Sequence, residues 1–215
     1  MELEAEKLRD NSGAAIPSTF PFPKRGKSLY SRSGLDQDLR EYKERDIWIN
    51  VGMFAFVSWE WVNPLAEWLK GKRVLEIMAG AGWLARALQE KGIAVIATDD
   101  HSWPKARAWK LQTEVEALDA LAAIQKYADQ TDILLISWPY MDPTAFLSLQ
   151  AWAKLKPGAL VIYIGEGDGG CTADFQFFEH FEDVEDRDFE QASRKYVAWW
   201  GMHDYLTLGK YRTPL

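Results

Sequence analysis

From residue 73 onward, short apolar runs alternate with stretches of helical period. Arg73–Ile77 ("RVLEI") opens the series. Ala94–Thr98, Val115–Leu118, Ile133–Ser137 and Leu160–Gly165 follow. Each run is short and rich in Val, Ile and Leu, which predicts strands covered on both faces. Between them Trp83–Lys91, Pro104–Gln112, Ala120–Tyr127 and Pro143–Leu155 read as helices. Gly92 closes the first of these, Asp142 and Pro143 open the last, and Lys156-Pro157-Gly158 stops it. Strands separated by crossover helices make a parallel, doubly wound α/β sheet.

The flanks follow other patterns. Residues 1–34 carry Gly, Pro and Ser without an apolar period, and predict a flexible leader. "LDQDLREYKERD" reads as a charged helix, and Ser58 as the N-cap of a helix through "WEWVNPLAEWLK", which Pro64 should kink or delay. These form a helical cap over 35–70, ahead of a core over 72–215, in a single domain spanning 35–215. In the aromatic stretch "RDIWINVGMFAFVSWEW", Trp48, Asn50 and Phe54 either form a lid on a cleft or cover the sheet. Past residue 172 a helix "ADFQFFEHF", capped by Thr172 if the preceding loop is a simple turn, leads to "EDVEDRDF". "DYLTLGKYR" then alternates strictly. With no helix expected between them, the last two segments predict an antiparallel edge pair.

Composition narrows the function classes. Across 215 residues, 47% are hydrophobic and 27% charged, as in ordinary globular chains. No apolar run approaches the roughly 18 residues that span a bilayer. The acidic start "MELEAEKLRD" lacks the features of a signal peptide, and the single Cys171 excludes an internal disulfide framework, so a cytoplasmic location is expected. A net charge of −7 disfavours bulk duplex DNA as a partner. The one basic run, "PKRGKSLYSR" with Lys24, Arg25, Lys27 and Arg32, is a solvated arm or a phosphate-contacting one. The eleven tryptophans suit core and rim packing, and those near a ligand could stack on a flat ring.

In an open parallel sheet, ligands bind beyond the carboxyl ends of the strands. "EIMAGAG" stands at that point after the first strand, where Gly80 and Gly82 let the backbone approach a ligand closely. Gly82 precedes Asp99 by seventeen positions, near the spacing of about 20 at which a carboxylate accepts two ribose hydroxyls. A dinucleotide site is one candidate. The bulky Trp83 after the second glycine crowds the place of a pyrophosphate, however, and Glu76 repels phosphates while attracting an ammonium group. A nucleoside that carries an amino acid and a positive centre suits these residues better.

"VLEIMAGAGWLA" resembles the first motif of class I S-adenosylmethionine-dependent methyltransferases, an acid followed by a G-x-G-x-G turn. Glu76 matches the acid, Gly80 and Gly82 match the second and third glycines with Ala79 in the same turn, and Met78 stands where the first glycine is usual. The resemblance implies a Rossmann-like, mostly parallel seven-stranded sheet with an antiparallel terminal pair, and S-adenosylmethionine as cofactor. It also implies ribose binding by Asp99, with Asp100 as the alternative, and Asp119 near the adenine amino group.

"SWPY", Ser137-Trp138-Pro139-Tyr140, resembles the fourth-strand motif of amino-group methyltransferases. That likeness implies Ser137 as acceptor of hydrogen bonds from the target amino group, beside the cofactor, and Tyr140 as the stacking face, with Trp138 and Pro139 in the substrate wall. In "IGEGDGGC", Glu166 and Asp168 alternate with glycines and point to a substrate-facing loop or a hinge. His101 and Trp103 could pack on adenine, His180 reads as a helix-surface residue, and His203 is a possible substrate contact. No metal-ligand spacing occurs, so no metal is expected. The acceptor class is a small molecule, a nucleotide or an RNA. A nicotinamide-dependent oxidoreductase and a non-catalytic nucleotide-binding protein are the two rival readings.

Overall fold

The structure, a computed structural model, describes residues 14–22, 32–104 and 106–212. Lys24, Arg25 and Lys27 of the basic run lie outside the described residues, as do the segments 1–13 and 23–31 of the expected leader.

Alternation along each strand builds two cores. Val74, Leu135 and Ile162 face one side of the sheet and Leu75, Leu134 and Val161 the other, all wholly buried. The strands are β1 (Arg73–Ile77), β2 (Ala94–Asp99), β3 (Glu116–Ala117), β4 (Ile133–Ser137), β5 (Val161–Gly165), β6 (Phe181–Asp183) and β7 (Tyr205–Tyr211). Their order is β3-β2-β1-β4-β5-β7-β6. β1 pairs in parallel with β2 and β4, and β7 runs antiparallel to both β5 and β6. The mostly parallel seven-stranded sheet with an antiparallel terminal pair is therefore as expected. Strand order reverses between β1 and its two neighbours, the point at which such sheets open a crevice.

The helices among the described residues are α1 (Arg32–Asn50), α2 (Trp59–Leu69), α3 (Trp83–Glu90), α4 (Ala120–Tyr127), α5 (Thr144–Leu155), α6 (Phe175–His180) and α7 (Glu190–Ser193). Trp61, Val62, Leu65 and Leu69 bury one face of α2, and this packing carries the helix through Pro64 without a break. Ser58 stands at the N-cap of α2 but makes no side-chain cap bond; its carbonyl accepts the Val62 N–H at 3.1 Å. Six of the eleven tryptophans, Trp48, Trp61, Trp83, Trp109, Trp152 and Trp199, are buried. Residues 14–22 dock as an irregular strap. Ile16 is buried, the Pro17 carbonyl accepts the Trp59 N–H, and the Phe20 ring meets Phe56 and Trp199.

Three local expectations are corrected. Pro104–Gln112 is not an α-helix and holds only a 3-10 turn at Ala106–Ala108. The Gln112 N–H is drawn to the Ala81 carbonyl at 2.8 Å and Trp109 is buried, so this crossover is used to cover the loop after β1. The helix after β5 is capped by Asp174, which accepts the Phe177 N–H; Thr172 instead bonds Tyr163 and the Glu166 N–H. Finally, α7 intervenes between β6 and β7, although the pair forms.

Gly82 takes a left-handed conformation at φ 78°, and a Cβ there would lie 2.7 Å from Val115 Cγ2. Gly158 has φ 76° with open space around it. Gly158→Ala should therefore show backbone strain alone, about 1 kcal/mol. Gly82→Ala should add a clash and cost about 2–4 kcal/mol, both measured by urea unfolding.

Candidate functional site

The carboxyl ends of β1, β2 and β4 open into one cleft of about 570 Å3. Glu76, at the end of β1, lines it and is almost wholly buried at 1% exposure. The Ala85 N–H in the first turn of α3 donates to its carboxylate, yet Oε2 is buried with no partner. Burial, offset in part by that N–H and reinforced by the charge on Asp99, raises the Glu76 carboxyl to about 8.

The loop after β1 is tied to β2 twice. The Ala79 N–H donates to the Thr98 carbonyl at 3.0 Å, and the Gly80 N–H to Asp99 Oδ2 at 2.8 Å. A side chain at Gly80 would press the Gly52 carbonyl at 3.3 Å, so the loop lies flat against the segment after α1. Asp99 Oδ1 accepts the His101 N–H at 2.7 Å and has His101 Nδ1 at 3.5 Å. Burial raises the Asp99 pKa, while the two N–H donors counter it. A carboxylate offers about four acceptor sites, so Asp99 retains room for two hydroxyls. Asp100 is exposed, its Oδ1 capping a turn on the Ser102 N–H. Asp119 lies at the adjacent β3 end, where it caps α4 through the Ala122 N–H.

The other wall comes from β4. Ser137, Trp138, Pro139 and Tyr140 all line the cleft. Trp138 adopts φ 52°, held by its N–H on the Ile164 carbonyl at 2.8 Å and by Nε1 on Asp204 Oδ2 at 3.2 Å. Asp204 is buried and also accepts from the Tyr196 hydroxyl; burial raises both groups. The Tyr140 ring stacks on Trp103 across the cleft mouth, with centroids 5.9 Å apart and planes at 23°. Burial also raises the Tyr140 hydroxyl, and Ser102 opposes this by hydrogen bonding.

Of the residues singled out from the sequence, Glu76, Ala79, Gly80, Asp99, Asp100, Asp119, Ser137, Trp138, Pro139 and Tyr140 share this cleft. Gly82, Glu166 and Asp168 lie outside its lining. Gly82 packs on the approach to β3. Glu166 is buried, its oxygens accepting the Cys171 and His203 N–H groups; burial would raise it, but these donors and the Cys171 thiol lower it. Asp168 is exposed in the turn beyond. Phe54 and Trp103 reach the cleft, Trp48 is buried in the core, and Asn50 is exposed. His180 stacks on Tyr211 and bonds Gln176. Arg45, Met53 and Trp109 line the cleft without having been singled out. They come from α1, the segment after it and the 3-10 crossover, whose arrival at the site no local motif announces.

Among the described residues no metal-binding group of His, Cys, Asp or Glu occurs, and no helix is long and apolar enough to cross a membrane. Strand order and cleft together define a Rossmann-like α/β protein with a ligand crevice at the switch point. No protein-family model matches the chain, and no curated protein matches it. Several solved structures are similar. One is 1,6-didemethyltoxoflavin-N1-methyltransferase of Burkholderia thailandensis with bound 1,6-didemethyltoxoflavin and S-adenosylhomocysteine, at 16% identity over 92% of this chain and 100% of that one, TM-score 0.42. Another is magnesium protoporphyrin IX methyltransferase of Synechocystis with bound S-adenosylmethionine, at 13% identity over 86% and 94%, TM-score 0.45. A third is a S-adenosylmethionine-dependent methyltransferase of Archaeoglobus fulgidus, at 16% identity over 69% and 90%, TM-score 0.44.

Glu76 titrates at about 8 in the folded protein against an ordinary 4.5, so between these values the folded state holds the extra proton. Its contribution to stability should fall as pH rises through this window, by up to about 1.4 kcal/mol per pH unit. Glu76→Gln should flatten that part of the stability–pH curve, as measured by urea melts from pH 5 to pH 9.

Proposed function

We propose that this chain, acting through residues 35–215 as one unit, is an enzyme. It binds S-adenosylmethionine and transfers its methyl group to a planar amino nitrogen. The observation that carries the reading is the buried Glu76 carboxyl, whose Oε2 has no partner, opening on the same cleft as Asp99 and Ser137. The bound cofactor supplies an electrophilic methyl group on a cationic sulfur.

The residues fit such a group. Glu76 would face an ammonium, Ala79 and Gly80 offer backbone without bulk, Asp99, or Asp100 in its place, would take the sugar hydroxyls, and Asp119 would take the adenine amino group. Trp83 argues against a pyrophosphate: its buried indole fills the helix start and donates to the Val51 carbonyl at 3.0 Å. On the other wall Ser137 accepts from the acceptor's amino group and turns its lone pair toward the methyl. Tyr140, Trp138 and Pro139 hold the acceptor plane. These walls supply alignment and a dry surround. Glu166 enters only through Cys171, whose N–H it holds and which lines the cleft. The acceptor is a small molecule, a nucleotide or an RNA rather than bulk duplex DNA, and the single Cys171 suits a cytoplasmic enzyme.

Calorimetry with S-adenosylhomocysteine tests this. Glu76 is mostly protonated at pH 7, so an ammonium docking against it should expel nearly one proton. The measured heat should then differ between phosphate and Tris buffers. Glu76→Gln should abolish that difference, and Asp99→Ala should weaken binding about tenfold or more. Absence of binding heat in both buffers would refute the proposal. Under acceptor screening, Ser137→Ala should lower turnover with affinity for S-adenosylhomocysteine unchanged.

A further inference from the structure

We infer that the cleft holds a second subsite, in which Arg45 receives an acidic substituent carried by a flat aromatic acceptor. This rests on the methyl-transfer reading and adds a substrate class to it.

α1 brings Arg45 to the wall beside the "SWPY" turn, with its guanidinium carbon 5.8 Å from the Trp138 ring centroid. Its Nε is buried and has no hydrogen-bond partner. A desolvated donor on a cation is unfavourable until an acceptor meets it, and a guanidinium fork matches carboxylate and phosphate oxygens in pairs. The charge also reaches the Cys171 thiol, which places Arg45 on the β4–β5 side of the cleft.

The charges of the cleft are divided. Glu76, Asp99, Asp100 and Asp119 lie at the ends of β1, β2 and β3. Asp142 starts α5, with Oδ1 on the Thr144 N–H. Among the described residues that line the cleft, Arg45 alone is cationic. A cationic cofactor satisfies the acids on one side. An aromatic ring seated against Trp138, with an anionic group at its edge, satisfies the arginine on the other.

The test uses the full chain saturated with S-adenosylhomocysteine and a matched pair of probes, anthranilate and its neutral counterpart anthranilamide, titrated by calorimetry. Anthranilate should bind about tenfold more tightly than the amide. Arg45→Gln should reduce that advantage to about threefold or less, and Arg45→Lys should restore part of it. Phenyl phosphate in place of anthranilate decides between carboxylate and phosphate. Equal binding of the pair, or no binding of any anionic probe, overturns the inference. So does a loss of about tenfold in S-adenosylhomocysteine affinity in Arg45→Gln, because Arg45 would then serve the cofactor's own carboxylate. If the wild type fails to bind S-adenosylhomocysteine, the methyl-transfer reading fails, and the same probe pair on the ligand-free protein still judges Arg45. Thermal melts confirm that each variant folds.

Discussion

Asp99 accepts the Gly80 N–H through one oxygen and the His101 N–H through the other, so a single half-buried carboxylate fixes the loops after two adjacent strands. Removing it would leave two backbone donors without partners at the cleft edge. Its charge also bears on Glu76, which lies deeper. Two carboxylates in so dry a place resist ionising together, and burial weighs most on Glu76, so the deeper one holds the proton. In the proposed function, an arriving positive group would let Glu76 ionise and offset the desolvation of both acids.

That geometry strains the backbone at recurring places. Among the described residues, the non-glycine residues with left-handed φ are Met78, His101, Trp138 and Ala173. The first three directly follow the ends of β1, β2 and β4 or sit one residue beyond. Each such turn costs about 1–2 kcal/mol relative to ordinary backbone. Specific bonds hold three of them: His101 on Asp99, Trp138 on Ile164 and Asp204, and Ala173 on the Tyr140 carbonyl at 3.1 Å. Strain gathered at the strand ends, and not scattered over the surface, is what a preorganised ligand site requires.

The strand ends were legible because both their signals are local. Apolar runs bounded by glycines and acids give β1, β2, β4 and β5 to within a residue, and the position after each strand follows from the fold rule. Glu76 and Asp99 follow in this way, whereas Ser137 comes from the resemblance of "SWPY" to the amino-group motif. Gly82 was legible as a glycine but not in its purpose, because the Val115 methyl that excludes a side chain is brought there by β3. The helical period of Pro104–Gln112 misled because its one tryptophan, Trp109, serves the cleft and the Gly52 loop, not a helix face on the sheet. Arg45 and Asp204 were illegible. They reach Trp138 from far away in the chain, across contacts that only tertiary packing defines.

The aromatic excess has its physical role here. Phe54 stands edge-on to Trp103 and Trp109, and Trp103 lies against Tyr140, so the cleft is walled by rings. The indole N–H groups of Trp103 and Trp109 are buried without partners. Such walls hold water back, and in a drier surround each charge–charge term grows. In the proposed reaction the cofactor enters with a positive sulfur and leaves as a neutral thioether. Acids that gain strength from dry walls therefore hold the reactant more firmly than the product. The ammonium that faces Glu76 carries the same charge before and after transfer, so Glu76 would anchor both forms and the change at sulfur alone would favour release.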